Sequence, residues 1–134
     1  AAVAGIRLQH ILYDPADIER LRAARAAGLM PQTQSEAIFV LGAYDPPRTG
    51  RPGDLAPLLA AAADLDLDLD WAVCAFGPAE HACVTEAMRR GGHARVGFEN
   101  NTLCPDGRPA EDNAALVALA AQAREAITLQ EAHR

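Results

Sequence analysis

A short apolar run, a turn and an amphipathic helix closed by glycine or a polar break recur four times along this chain. That alternation leaves few architectures open. Near-continuous apolar strands separated by helices require a parallel sheet, which is buried on both faces and covered by its crossover helices. The fold class is therefore α/β, and 134 residues allow one compact domain spanning residues 1–134.

The first apolar run is IRLQHIL, residues 6–12, and it meets Asp14-Pro15-Ala16-Asp17. Asp14 suits a helix cap, Pro15 the first helical position and Asp17 the first turn. The helix is expected to reach Ala27, with Ile18, Leu21 and Ala24 buried, Arg20, Arg22 and Arg25 wet, and Gly28 as a left-handed exit. The second run, AIFVLG at 37–42, precedes a Pro/Gly-rich loop and a helix over LAPLLAAAADL, with Asp54 as its cap. The third, WAVCAFG at 71–77, leads into a helix opened by Pro78 and ended by Arg90 and Gly91-Gly92. The fourth, HARVGFEN at 93–100, is followed by a turn-rich segment and an alanine-rich helix from Asp112 to Ile127.

Charge and composition exclude several chemistries. A formal charge of -6 disfavours a general nucleic-acid binder, whose affinity depends on many cationic phosphate contacts. All twelve cations are arginines, so neither a Schiff-base lysine nor a Walker-type phosphate lysine is available. No apolar run approaches the roughly 18 to 20 residues of a membrane span. Cys74, Cys83 and Cys104 are odd in number with no C-x-x-C pair, so a cytoplasmic location is expected. Cys74 reads as a small buried hydrophobe rather than a nucleophile.

In parallel α/β folds chemistry collects at the carboxyl ends of the strands, which singles out Gln9, His10, Gly42, Tyr44, Gly77, Arg95, Phe98, Glu99, Asn100 and Asn101. Strand alternation would place Arg95, Gly97 and Glu99 on one face and Val96, Phe98 and Asn100 on the other. Arg95 and Glu99 could then share a ligand pocket, or form a structural ion pair. Backbone amides near Gly42 and Gly77 offer generic anion sites. His93 and His81 read as structural or solvent-facing. His10, lacking a second histidine at ligand spacing, reads as a satisfied core or loop histidine.

Residues 91–117, GGHARVGFENNTLCPDGRPAEDNAALV, resemble the C-terminal signature of the β-keto acid cleavage enzymes, Gly-Gly-His-Val-Arg-Val-Gly-Leu-Glu-Asp-Asn. GLMPQTQSEAIFVLGAY and GIRLQHILYD are similar to upstream family segments. The resemblance implies four consecutive βα units forming the C-terminal half of a (β/α)8 TIM barrel. It also implies a zinc-dependent acyltransferase exchanging acyl groups between a β-keto acid and a CoA thioester, giving acetoacetate and a new acyl-CoA. By that resemblance Glu99 is a metal ligand, Arg95 an active-site cation and Asn100 stands where the family has a catalytic Asp. Asn100 can hydrogen-bond but cannot act as an acid or base. The family's Glu-Leu-Glu reads Gln9-His10-Ile11, and its His-x-His zinc ligands belong to an earlier strand, so the missing barrel half or a homo-oligomer partner is expected to complete the site. A non-catalytic half-barrel that dimerises and binds an acidic small molecule is the alternative. The start at Ala1, directly before a strand, fits a partial chain.

Overall fold

The computed structural model describes residues 8–30, 36–64 and 69–133. Four parallel strands form its sheet: β1 (Gln9–Leu12), β2 (Glu36–Ala43), β4 (Asp70–Ala75) and β5 (His93–Ala94), paired in that order. A two-residue strand, β3 (Arg48–Thr49), returns antiparallel onto the end of β2. Between and after the strands lie α1 (Pro15–Ala26), α2 (Leu55–Asp64), α3 (Glu80–Arg89) and α4 (Asn113–Ala132). Each parallel strand pairs with its predecessor through an intervening helix, an alternating β/α arrangement compatible with half of a barrel.

The local chemistry explains the helices. The Asp14 carboxylate accepts the Asp17 amide at 2.9 Å, and the Asp17 carboxylate accepts the Tyr13 amide at 2.7 Å, which closes the start of α1 around Pro15. Gly28 leaves α1 at φ 70. Asp112 caps α4 through the Ala115 amide, and α4 runs five residues beyond the expected Ile127.

Some boundaries differ from expectation. A 3-10 turn over Pro52–Asp54 precedes α2, and Asp54 accepts the Arg51 amide at 2.9 Å, so it caps that turn rather than α2. Pro78 lies in the turn before α3, which begins at Glu80. Arg25 is half-buried beside His10 rather than fully wet. Residues 6, 7 and 65, which the sequence assigned to a strand and a helix, lie outside the described residues.

Register divides the strand side chains into two faces. Leu12, Ala37, Phe39, Leu41, Val73 and Ala75 turn toward the helices and pack with Ile18, Leu21, Leu55, Leu58, Val84 and Ala87. Phe39 is fully buried and meets the Trp71 ring at 5.6 Å. Ile38, Val40, Ala72, Cys74 and Phe76 form a second cluster on the opposite face. Arg95 extends β5, its amide donating to the Val73 carbonyl at 2.9 Å, so its side chain shares the face of Cys74. Arg95 thus stands on the face turned away from the helices, whereas His10, in register with Ala37, falls on the helix side.

Candidate active site

The carboxyl ends of β2 and β4 are knitted together by backbone bonds. The Phe76 amide donates to the Leu41 carbonyl at 2.8 Å, and the Gly50 amide donates to the Phe76 carbonyl at 2.9 Å. Beyond them the chain after β5 does not continue as a strand. Residues 98–100 form a turn, closed by the Asn100 and Asn101 amides donating to the Gly97 carbonyl at 2.9 and 3.1 Å. The expected alternation of Arg95, Gly97 and Glu99 along one strand is therefore corrected. Gly97, at φ 152, bends the chain, and its own carbonyl serves the turn instead of a neighbouring strand.

The turn still brings the two charged residues together. Arg95 Nη2 donates to Glu99 Oε2, with the side chains 47 % and 56 % exposed. A pair so open contributes little to stability, about 1 kcal/mol at most. It remains reachable by a ligand. On its inner side Arg95 stands beside the Cys74 thiol. Burial disfavours the Arg95 charge, but the neighbouring Cys74 and Glu99 outweigh that and hold its pKa above the ordinary arginine value. Burial likewise pushes the Cys74 thiol up, and Arg95 reverses only part of the rise. Cys74 is a neutral thiol in the second apolar cluster, as its apolar strand context predicts.

Tyr44, from the loop after β2, completes the group. Its hydroxyl donates to the Glu99 carbonyl at 2.6 Å, and its ring meets Phe76 edge-on at 4.3 Å. Asn100 contributes its carbonyl to the Gly77 amide at 2.9 Å, and its side chain has no hydrogen bond among the described residues. The Gly77 amide, expected to face an anion, thus closes the site's own backbone. Gly42 and Gly77 are required by crowding: a Cβ on Gly42 would lie 2.5 Å from the Arg48 carbonyl, and one on Gly77 would lie 2.8 Å from Thr49 Cγ2.

The residue that sequence reasoning missed is Glu80. It is 1 % exposed, yet it is a carboxylate in the first turn of α3. Its Oε1 accepts the Gly97 amide and its Oε2 accepts Asn101 Nδ2, both at 3.2 Å. Asn101 in turn brackets Leu103, donating to its carbonyl at 2.7 Å and accepting from its amide at 3.0 Å. Burial raises the Glu80 pKa, and the bonds to Asn101 and Gly97 offset only part of that. A signal was present in the spacing, because Glu80 stands on the stripe of Cys83, Val84 and Ala87, the buried face of α3.

The histidines do not join this cluster. His93 Nε2 lies 3.2 Å from Asp70 at the amino end of the sheet, consistent with a structural part. His81 is on α3, half-buried, and its carbonyl accepts the Thr85 hydroxyl. His10 departs from expectation: its buried Nε2 has no hydrogen-bond partner among the described residues. Burial and the nearby Arg25 lower its pKa, which keeps the ring neutral and lessens the cost of that unpaired nitrogen.

Among the described residues no three His, Cys, Asp or Glu side chains converge as a metal site. Glu99 is engaged by a guanidinium, which has no lone pair to offer, and the Cys74 thiol is held neutral. This donor set does not fit a zinc ion, which takes about three protein ligands at a catalytic centre. No helix among the described residues is long and apolar enough to cross a membrane.

Compared with known proteins, residues 1–133 match the family model described as beta-keto acid cleavage enzyme. No curated protein matches the chain.

Proposed function

The chain belongs to the β-keto acid cleavage enzyme family, and from that premise we propose that it serves a β-keto acid cleavage reaction with the Arg95–Glu99 group as its substrate-facing site. The carrying observation is the position of Arg95: a half-exposed guanidinium at the carboxyl end of the sheet, on the face turned from the helices, oriented by Glu99. A guanidinium binds carboxylates in planar, bidentate fashion, so a β-keto acid carboxylate is the chemistry it suits.

The finer reading is acyl exchange. The bond between the α-carbon and the keto carbon of the β-keto acid breaks, and its acyl group passes to CoA. The acetyl group of acetyl-CoA joins the two-carbon remainder, so acetoacetate and a new acyl-CoA leave. Arg95 would hold the carboxylate and resist diffusion of charge as it develops. Tyr44 fixes Glu99 by its carbonyl, leaving the Glu99 carboxylate to orient Arg95. Asn100 can donate a hydrogen bond to substrate but cannot carry a proton. A divalent metal goes with the family, but the Arg95-bound Glu99 and the neutral Cys74 do not fit one, so no step here is assigned to a metal.

Labelled acetyl-CoA mixed with the chain and a panel of β-keto acids tests this reading. Label is expected in acetoacetate only when a second β-keto acid is supplied, and Arg95→Gln should abolish it. No label with any substrate, with zinc added or chelated, overturns the exchange.

A second reading is favoured by Asn100 in the place of an acid and by Gln9 and Ile11 in the place of carboxylates: binding of an acidic small molecule without turnover. Saturable carboxylate binding that Arg95→Gln removes, with no product, supports it over the first.

A further inference from the structure

The group that faces substrate is carried on a turn, and turns are placed by what lies beneath them. Three side-chain supports meet here, beside the backbone bond from the Gly77 amide to Asn100. The Phe98 amide donates to Asn113 Oδ1 at 2.8 Å from the start of α4, the Tyr44 hydroxyl grips the Glu99 carbonyl, and Glu80 holds the underside. Of these Glu80 is the only charged group, and it is the one that reaches both ends of the turn at once.

We propose that Glu80 is the positioning residue of the site: from the first turn of α3 its two carboxylate oxygens hold the Gly97 amide and the Asn101 side chain, which sets where the Arg95–Glu99 pair stands. The role needs two acceptors. Both carboxylate oxygens meet donors, and Asn101 cannot turn its own oxygen toward Glu80 without breaking both bonds to Leu103. A glutamine at position 80 has one acceptor, and its NH2 would face a donor. The location in the first turn of a helix favours the ionised carboxylate, against the cost of burial. The five residues 97–101 therefore hang at both ends from one side chain; Glu99 lies among them, and Arg95 stands two residues before Gly97.

This inference rests on the Arg95–Glu99 pair being the working site, and its test reads the pair without turnover. The probe is the guanidinium 15N resonance of Arg95 in the labelled full chain, assigned by its loss in Arg95→Gln and referenced to its unpaired position in Glu99→Gln. Glu80→Gln is expected to move that resonance more than halfway to the unpaired position. Asn101→Ala, which cuts the same support without removing a charge, should move it in the same direction by a smaller amount. Cys83→Ala weakens the same buried face of α3 but touches nothing in the turn, and should leave the resonance in place. An unmoved resonance in Asn101→Ala, or an equal shift in Cys83→Ala, overturns the proposal. If Glu80→Gln does not fold, the Asn101 and Cys83 variants decide it alone. Absent turnover in the wild type, with these shifts as expected, would count against the cleavage reaction and not against Glu80.

Discussion

The amide of Gly77 donates to the carbonyl of Asn100 at 2.9 Å, tying the exit of β4 to the turn after β5. This bond spans two βα units and makes the sheet's last strand register the height of the Arg95–Glu99 pair. Gly77 can make it because its φ is 88, with Thr49 packed where a side chain would begin.

Gly77→Ala is expected to destabilise the chain by about 1 to 2 kcal/mol from the left-handed backbone alone, with the Thr49 clash adding to it. Urea unfolding reads this directly. A midpoint equal to that of the wild type would mean that the backbone at 77 relaxes freely and that the tie to Asn100 is dispensable.

Glu80 makes stability depend on pH in a direction opposite to most carboxylates. Its folded pKa is raised, so only between the ordinary glutamate value and the raised one does the folded state hold a proton that the unfolded chain has released; above both the carboxylate is ionised. Stability from this group is present at low pH and is lost as pH climbs from the ordinary glutamate range through the raised value. The difference in unfolding free energy between wild type and Glu80→Gln should therefore drift against the wild type over that interval. A pH-independent difference would mean that the pKa of Glu80 is the same in the folded and unfolded chain.

Thiol labelling tests the packing of both faces. Burial pushes Cys83 up to about 12 and also raises Cys74, so neither offers thiolate near neutral pH. Cys104 is only half-buried. Under native conditions at pH 8 a disulfide reagent should titrate Cys104 rapidly and reach the other two only after denaturation. Three equal rates would contradict the buried placement of Cys74 against Arg95.

At the site itself, stability and activity should separate. Glu99→Ala is expected to change unfolding free energy by no more than about 1 kcal/mol, since both partners of its ion pair are half-exposed. Turnover should fall at least tenfold, because Arg95 loses the group that orients it. Asn100→Asp should likewise alter kcat/KM far more than the urea midpoint, as it adds a proton carrier at the rim. Parallel loss of stability and turnover in both variants would mark the turn as scaffold only.

Much of the fold was legible because it is written in local patterns. The Asp14-Pro15-Asp17 start of α1, the left-handed exit at Gly28 and the all-apolar run of β2 each follow from backbone preference and from which face must be dry. The pairing of Arg95 with Glu99 was also readable, though through the wrong geometry. A strand was expected where Gly97 bends the chain, and a turn brings the two residues together four positions apart. Only the tertiary structure decided the rest. Glu80 meets Gly97 and Asn101 across 17 and 21 residues, and Tyr44 meets Glu99 across 55. Period and propensity record what each segment does with its own backbone and its own dry face. They carry no term for which loop ends arrive at the same place once the strands have paired, and a buried carboxylate finds its donors only there.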